Sequence, residues 1–533
     1  MNILIAEPIA PAAVELLQSV DGWKTIVSNP KEYAQHLGEA DALLVRSAVQ
    51  VTAEVLSKAP RLRVIGRAGV GVDNVDLSAA TQAGVLVMNT PGGNAISVAE
   101  HALALMLAMA RQIPQANVST RAGKWEKKKF LGNELRGKTL GIVGLGSIGR
   151  EVVKRARAFE MRILAHDPYV MAKIAEDFGA ELADLDTLYA ASDYLTLHVA
   201  LTPETTGMLS REAFARMKTG VRIVNCARGE LVDEAALLEA IQSGKVAGAA
   251  LDVFATEPAP AGYALFGSES VLATPHIGGS TEEAQEIVGV RIAEQVVEYL
   301  RNGVAIHAVN MPALSPEQYR AITPYLTLAE RLGNFAAHIA SGNPKTVRLT
   351  YYGRIGDGNT NLLRNAGVAG VLGRSTAHKA NLVNAMPIAE QRGWSVEEAR
   401  ENRSGPTDSI RLDLVTEAGT TSVEGVVLLE KPRLTQVDGI YCEAALSGFL
   451  IFMKNQDVPG VIGHVGTVLG ENRINIANFS LGRRDAPLAP GPEGTPPLEA
   501  VAVVSTDELV SETVLAQLRD HAAVRFARAV EFV

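Results

Sequence analysis

The stretch Leu140-Gly141-Ile142-Val143-Gly144-Leu145-Gly146-Ser147-Ile148-Gly149-Arg150 decides the fold. Leu140 to Val143 suit a buried strand, Gly144 permits a tight turn, Gly146 lets backbone approach a pyrophosphate, and Gly149 lets the following helix pack closely. That helix, entered through Ser147 and Ile148, offers its N-terminus to phosphates. A helix-length segment later, the run Arg162 to His166 ends at Asp167, a carboxylate suited to accept hydrogen bonds from both ribose hydroxyls of an adenosine and to repel a 2′-phosphate. Strand, glycines, helix and acid in that order predict a Rossmann-type domain that takes NAD in preference to NADP.

Upstream, short apolar strands at Ile3 to Ala6, Ala42 to Val45, Val64 to Gly66 and Val85 to Met88 alternate with helical stretches, which is βαβ logic. An apolar helix is expected from Ala95 to Arg111; its most apolar part, Ala102 to Ala110, is too short to span a bilayer. Downstream strands are expected at Arg162 to His166, Tyr194 to His198, Arg222 to Asn225, Ala247 to Asp252 and Val271 to Ala273. A whole α/β unit therefore precedes the Gly-rich turn, and a helix from Thr281 to Asn302 is placed to return the chain to it. The expected arrangement is a Rossmann domain, 96–284, inserted in a flavodoxin-like substrate-binding domain, 1–95 and 285–312, with the active site in the cleft between them.

A chain of 533 residues exceeds one ordinary core, so two to four domains are expected. Two cysteines, Cys226 and Cys442, cannot build a disulfide framework or a Cys-rich zinc site, and Met1 to Ala6 reads as a first strand, too short for a signal peptide. A cytoplasmic enzyme without membrane partners is expected. A net charge of −9 disfavours non-specific nucleic-acid binding, and the basic run Lys124 to Lys129 reads first as a solvated loop.

Three polar residues fall at or just after expected strand ends, where an open α/β sheet places ligands. Arg228, in Asn225-Cys226-Ala227-Arg228-Gly229, suits a substrate carboxylate or carbonyl. Glu257, in Phe254-Ala255-Thr256-Glu257-Pro258, can hold an imidazole, and His276, in Thr274-Pro275-His276-Ile277-Gly278-Gly279, is then a proton carrier. Together with the Gly-rich turn, these segments resemble the D-2-hydroxyacid dehydrogenase family over residues 1 to about 310. The resemblance implies that His276 takes the hydroxyl proton of a 2-hydroxy acid while hydride leaves C2 for NAD, that Glu257 stabilises the imidazolium, and that Arg228 polarises the developing carbonyl. No metal is expected, because Arg228 and protonated His276 supply the electrostatic stabilisation.

The same resemblance adds Val199, Cys226, Ala227, Arg228, Asp252, Gly278 and Gly279 to the cofactor set of Gly144, Gly146, Ser147, Ile148, Gly149 and Asp167. Ser147 stands where the family often has Arg, and Val199 where it has Thr, so backbone contacts are expected to dominate at those two places. Leu43-Leu44-Val45-Arg46-Ser47-Ala48, Arg67-Ala68-Gly69-Val70-Gly71-Val72-Asp73-Asn74-Val75-Asp76 and Ser97-Val98-Ala99-Glu100-His101 resemble the branch that acts on a phosphorylated 2-hydroxy acid. On that reading the Val70 and Gly71 amides hold the substrate carboxylate, and Arg46 and Arg67 hold its phosphate. The reaction implied is NAD-dependent oxidation of D-3-phosphoglycerate to 3-phosphohydroxypyruvate, the first step of serine biosynthesis. The rival readings are a hydroxypyruvate or glyoxylate reductase with the same three residues, and a non-catalytic NADH-sensing scaffold.

Residues 313–445 carry Gly-rich helical segments and alternating strands at Ser409 to Thr416 and Thr421 to Leu429. Leu382-Val383-Asn384-Ala385-Met386-Pro387 resembles the intervening domain of long members of the family, which bears on assembly. Gly370 to Arg374 and His378 to Asn381 are candidate anion contacts, with packing the more economical reading. Residues 446–533 read β-α-β, a Pro/Gly-rich loop at Ala486 to Pro497, then β-α-β, a ferredoxin-like order. This end resembles ACT, a small-molecule sensing module, through Asn455-Gln456-Asp457-Val458-Pro459-Gly460 and Asn475-Ile476-Ala477-Asn478. Asn455, Asp457 and Asn475 are the candidate effector contacts, serine the implied effector, and a homotetramer the implied assembly.

Overall fold

The computed structural model describes residues 1–373, 380–401, 407–484 and 498–532. Arg374, His378, Lys379 and the loop Ala486 to Pro497 lie outside the described residues.

The first sheet contains β1 (Asn2–Ile5), β2 (Lys24–Val27), β3 (Ala42–Val45), β4 (Val64–Arg67) and β5 (Leu86–Met88), all parallel in the order β2-β1-β3-β4-β5. The second contains β6 (Thr139–Val143), β7 (Arg162–His166), β8 (Glu181–Leu182), β9 (Tyr194–Leu197), β10 (Val221–Asn225), β11 (Val246–Leu251) and β12 (Val271–Ala273), ordered β12-β11-β10-β9-β6-β7-β8 and also parallel. Strand order reverses between β6 and β9, and the crevice at the carboxyl ends of the strands there is where such sheets take nucleotides. The first order is the flavodoxin-like one, the second the doubly wound Rossmann one.

Two helices carry the chain between these sheets. Ala95–Ala110 buries Val98, Ala102, Leu103 and Met106 in the core of the second sheet, so its apolar stretch is packed inside the protein. Glu282–Asn302 starts at Thr281, whose side chain accepts a hydrogen bond from the Ala284 amide, and ends at Gly303 in the left-handed region (φ 74°). It returns Val288, Ile292 and Val296 to the first core. A Cβ on Gly66 of β4 would lie 2.8 Å from Ile292 Cγ1, so glycine there lets helix and sheet meet.

Strand β2 is absent from the sequence reading because Lys24-Thr25-Ile26-Val27 is a short edge strand with only half-buried or exposed side chains. A further helix, Ile113–Arg121, precedes the basic run Lys124 to Lys129 and has no counterpart in the sequence reading; it buries no residue, which removes the periodic signal.

The third sheet contains β13 (Pro344–Tyr352), β14 (Ser395–Glu401), β15 (Ser409–Thr416), β16 (Gly419–Leu428), β17 (Lys431–Val437) and β18 (Ile440–Ala445) in the order β14-β13-β15-β16-β17-β18. Helix Pro316–Ile339 shares its core, and Asn381 Nδ2 donates to Gly84 O (2.8 Å), tying this region to the first sheet's domain. The fourth sheet contains β19 (Gly448–Gln456), β20 (Ile476–Arg483), β21 (Glu499–Thr506) and β22 (Val524–Phe532), antiparallel in the order β20-β21-β19-β22 with two helices, the ferredoxin-like order. Phe335 and Phe452 meet edge to face (5.6 Å), and Phe452 meets Phe526 (6.0 Å), so one apolar core continues from the third region into the fourth.

The strand registers separate the three effector candidates within one chain. Asn455 pairs with Ala500, whereas Ile476, next to Asn475, pairs with Thr506, itself opposite Phe449. Asn455 and Asp457 therefore sit at one end of the sheet and Asn475 at the other. Each has a local partner: Asn455 Nδ2 donates to Gln456 O, Asp457 accepts from Arg483, and Asn475 donates to Asp507. Within one chain the three do not converge, because β20 runs parallel to β19 and the helix between them returns the chain to the start of the sheet.

Phe335→Ala removes a fully buried ring from the shared core. A loss of about 3–5 kcal/mol is expected, seen as a lowered thermal transition by scanning calorimetry with NADH binding unchanged.

Candidate active site

The Gly-rich turn is built as its sequence requires. Gly144 has φ 98°, and a Cβ there would lie 2.6 Å from His198 O and 3.0 Å from Val199 Cγ1. A Cβ on Gly149 would fall 2.0 Å from Gly144 O, so glycine lets helix Ser147–Ala158 close on the turn. A Cβ on Gly146 would meet nothing within 4 Å, so space lies open beside the amides at the helix start. Asp167 Oδ2 accepts from the Leu145 amide (2.8 Å) and Oδ1 from the Tyr169 amide (2.9 Å). This acid fastens the turn to the end of β7 and keeps a lone pair on each oxygen for a ribose. The cradle fits a dinucleotide held by backbone, in keeping with Ser147 in place of a longer side chain.

His276 and Glu257 meet. His276 Nδ1 lies 2.7 Å from Glu257 Oε2. A carboxylate only accepts, so Nδ1 carries the hydrogen and Nε2 is left for proton exchange. The Glu257 hydrogen bond raises the His276 pKa; burial opposes it, the charges of Glu257 and Asp252 add to it, and Arg228 subtracts. Burial pushes the Glu257 carboxyl up, but the His276 and Phe254 hydrogen bonds and the charges of His276 and Arg228 outweigh it and hold the group low.

The loop carrying His276 is fixed by Asp252, which is 1% exposed. The Asp252 carbonyl accepts from the His276 amide (2.8 Å), Oδ1 from the Ile277 amide (2.9 Å) and the Thr274 hydroxyl, and Oδ2 from the Gly278 amide (2.8 Å). His101 Nε2 adds a contact to Oδ1 at 3.2 Å. These bonds hold His276 in the left-handed region (φ 52°), a conformation costing a non-glycine residue about 1–2 kcal/mol. A Cβ on Gly278 would sit 3.0 Å from Asp252 Oδ2, and one on Gly279 2.8 Å from Asn94 Nδ2, so both glycines pack closely where helix Ala95–Ala110 begins. Cys226 is buried with Ala250 in the cofactor-domain core, and burial pushes its thiol pKa up. Ala227 is also buried, its amide bonded to Asn225 Oδ1 (3.0 Å). Val199 stands beside the Gly144 turn.

Across the cleft, the loops after β3 and β4 carry the anion-binding candidates. A Cβ on Gly71 would lie 2.1 Å from Arg228 Nη2, which places the guanidinium of the cofactor domain directly over the substrate-domain loop. Among the described residues, the Val70 and Gly71 amides donate to no protein acceptor. Arg67 lies over Gly69; burial lowers its pKa first, and the charges of Arg228 and Arg46 lower it further. Its Nε is buried without a hydrogen-bond partner. Arg67 and Arg228 stand over the loop of these two undonated amides, and Arg46, whose Nη1 donates to Pro8 O (3.3 Å), is near enough to act on Arg67; together they make a site for an anion.

Residues outside the sequence reading hold this arrangement. Glu7, 5% exposed, accepts from the Arg46, Ala48 and Val49 amides, and the Asn74 side chain donates to Arg46 O and Val49 O. Asp73 pairs with Arg228 (2.9 Å). Asp73 and Asn74 stand inside the quoted 67–76 segment, so the signal was present; Glu7 gives none, because one acid after a strand looks like any surface charge.

A Rossmann cradle, a His–Glu pair and an arginine facing paired amides define an NAD-dependent D-2-hydroxyacid dehydrogenase. Residues 103–278 match the D-isomer specific 2-hydroxyacid dehydrogenase NAD binding domain, 321–438 the D-3-phosphoglycerate dehydrogenase intervening domain, and 449–523 the ACT domain. The chain belongs to the D-3-phosphoglycerate dehydrogenase family: it is 43% identical to the Archaeoglobus fulgidus D-3-phosphoglycerate dehydrogenase, with 91% of this chain and 92% of that one covered. It is also 41% identical to the Methanocaldococcus jannaschii enzyme of that name, with 98% of both covered. Among solved structures, a glyoxylate reductase from Paecilomyes thermophila covers 60% of this chain and 98% of its own (TM-score 0.52, 34% identity). A D-lactate dehydrogenase from Aquifex aeolicus, complexed with NAD and lactic acid, covers 59% and 100% (TM-score 0.51, 29% identity).

Gly149→Val places side-chain atoms in the Gly144 carbonyl. NADH titration followed by fluorescence is expected to show loss of binding, with the circular dichroism spectrum retained.

Proposed function

We propose that this chain oxidises D-3-phosphoglycerate to 3-phosphohydroxypyruvate, the first step of serine biosynthesis. The observation that carries this is the grouping of Arg46, Arg67 and Arg228 with the undonated Val70 and Gly71 amides, across the cleft from His276 and Glu257. A simple 2-hydroxy acid brings one anionic group and needs one guanidinium; a substrate with a phosphate as well uses all three. NAD, held by the Gly144–Gly149 cradle and Asp167, supplies the hydride acceptor.

The residues then divide the work. Arg228 and the amides fix the carboxylate and the C2 oxygen, and Arg46 and Arg67 hold the phosphate. His276 Nε2 takes the C2 hydroxyl proton as the carbonyl forms, and Glu257 stabilises the resulting imidazolium through Nδ1. In the reverse direction the same atom returns the proton. Glyoxylate reduction is the second reading, favoured by the structural likeness above; Arg67, buried and turned toward two other arginines, weighs against it because glyoxylate offers nothing for that charge.

The protein is further read as a cytoplasmic homotetramer whose ACT ends bind serine between subunits. Support for pairing comes from the registers: within one chain Asn455 and Asp457 lie at the opposite end of the sheet from Asn475, so a ligand that touches all three needs a second copy.

Two substrates separate the readings. NADH oxidation is expected to run far faster with 3-phosphohydroxypyruvate than with hydroxypyruvate, and Arg46→Ala to lower kcat/KM about 100-fold for the phosphorylated acid while leaving the unphosphorylated one little changed. Equal rates for the two acids in the parent enzyme would exclude the phosphate assignment.

A further inference from the structure

One charge in the cleft belongs neither to the proton-transfer pair nor to the anion-binding set. Asp73 projects from the loop after β4, in the substrate-binding domain, and its Oδ2 accepts from Arg228 Nε (3.2 Å) and Nη2 (2.9 Å) in the cofactor domain. Arg228 Nη1 donates to Ala227 O (2.6 Å). The Nε–Nη2 edge is one that a carboxylate grips with two parallel bonds, and here it is already taken. A Cβ on Gly71 would lie 2.7 Å from Asp73 Oδ2 and 2.1 Å from Arg228 Nη2, so the pair sits over the loop whose amides await an anion. Glu7, the other acid that feels Arg67, is spent on three backbone amides and is nearly inaccessible. Asp73 is 66% exposed at its side chain and free to swing away.

We propose that Asp73 is a positioning residue, a resident carboxylate that holds Arg228 over Gly71 and is exchanged for the carboxylate end of an incoming 2-oxo acid. The proposal rests on the role given to Arg228 above, and not on the phosphate assignment. Its consequence is a cost common to every 2-oxo acid, because each must displace Asp73 from Arg228 before its own carboxylate is gripped; that cost cancels between substrates and leaves their ratio to contacts made elsewhere.

The test uses the full-length enzyme with NADH bound and oxalate as the probe, a dicarboxylate with no phosphate that cannot turn over. Binding is read from the NADH fluorescence. Asp73→Asn preserves shape and removes the competing charge. Oxalate is expected to bind about five-fold more tightly to Asp73→Asn than to the parent, and Asp73→Glu to stay near the parent value. KM for 3-phosphohydroxypyruvate and for hydroxypyruvate is expected to fall by a similar factor in Asp73→Asn, leaving the ratio of their kcat/KM values near that of the parent. A damaged or loosened cleft would weaken oxalate binding, so unchanged or weaker binding in Asp73→Asn overturns the proposal. Tighter oxalate binding in an enzyme that treats the two oxo acids alike would uphold the exchange and refute the phosphate assignment alone.

Discussion

Everything in the cleft depends on one hydrogen bond, from His276 Nδ1 to Glu257 Oε2. It joins two loops that leave neighbouring strands of the cofactor sheet, β11 and β12, and it holds only while both loops keep their shape. Asp252 secures the first residues after β12 by taking backbone hydrogen bonds from His276, Ile277 and Gly278. The Glu257 loop is secured by the Phe254 amide on Glu257 Oε1, by Glu234 on the Ala255 amide and the Tyr263 hydroxyl, and by Gly229, where a Cβ would fall 1.9 Å from the Phe254 carbonyl carbon. That last contact also sets Arg228, one residue earlier, beside the His–Glu pair. The sign of the linkage follows from the shifts. The His276 pKa is raised, so its share of the pair's stability is full below the ordinary 6.5 and is lost as pH rises through the folded value; the Glu257 pKa is lowered, so its share is full above the ordinary 4.5 and is lost as pH falls through the folded value. Both shares are full between the two ordinary values, 4.5 and 6.5, and the raised His276 pKa extends the charged pair above that window toward the range in which a proton carrier works.

The insertion of one α/β domain in another supplies the second half of the site. Because the chain leaves the first sheet after β5 and returns by helix Glu282–Asn302, the loops after β3 and β4 face the carboxyl ends of the cofactor-sheet strands. Two sets of loops, each at the end of a parallel sheet, then close on one space. The electrostatics are complementary across it. One side carries the proton-transfer pair, the other carries Arg67, whose pKa burial and the charges of Arg228 and Arg46 lower, and Arg228 is felt by both.

The sequence was most legible where backbone geometry demands glycine. Gly144 and Gly149 have close contacts that leave no room for a side chain, so their spacing reports the fold directly. Arg228 and Glu257 were legible because each follows a buried strand, His276 because it follows a short apolar one, and the distance between Glu257 and His276 agrees with the roles read for them. Residues that act by bracing were not. Glu7 and Asn74 serve backbone groups that become neighbours only after folding, and Asp73 meets Arg228 across 155 positions of chain. The effector candidates Asn455, Asp457 and Asn475 lie at opposite ends of one sheet, a placement that the strand registers set and the local sequence does not report. Strands β13 and β14 escaped notice as well, since half of β14 is exposed charge that gives no apolar run.

The central claim is that Glu257 acts through His276, and the pH dependence of 2-oxo acid reduction tests it most directly. Reduction needs His276 protonated, so the rate should fall as pH rises through the raised His276 pKa. In Glu257→Gln the charge that raises it is gone, and that limb of the kcat/KM profile should move to lower pH by about one unit or more, with NADH affinity unchanged. A profile that keeps its position while only the rate drops would contradict the account.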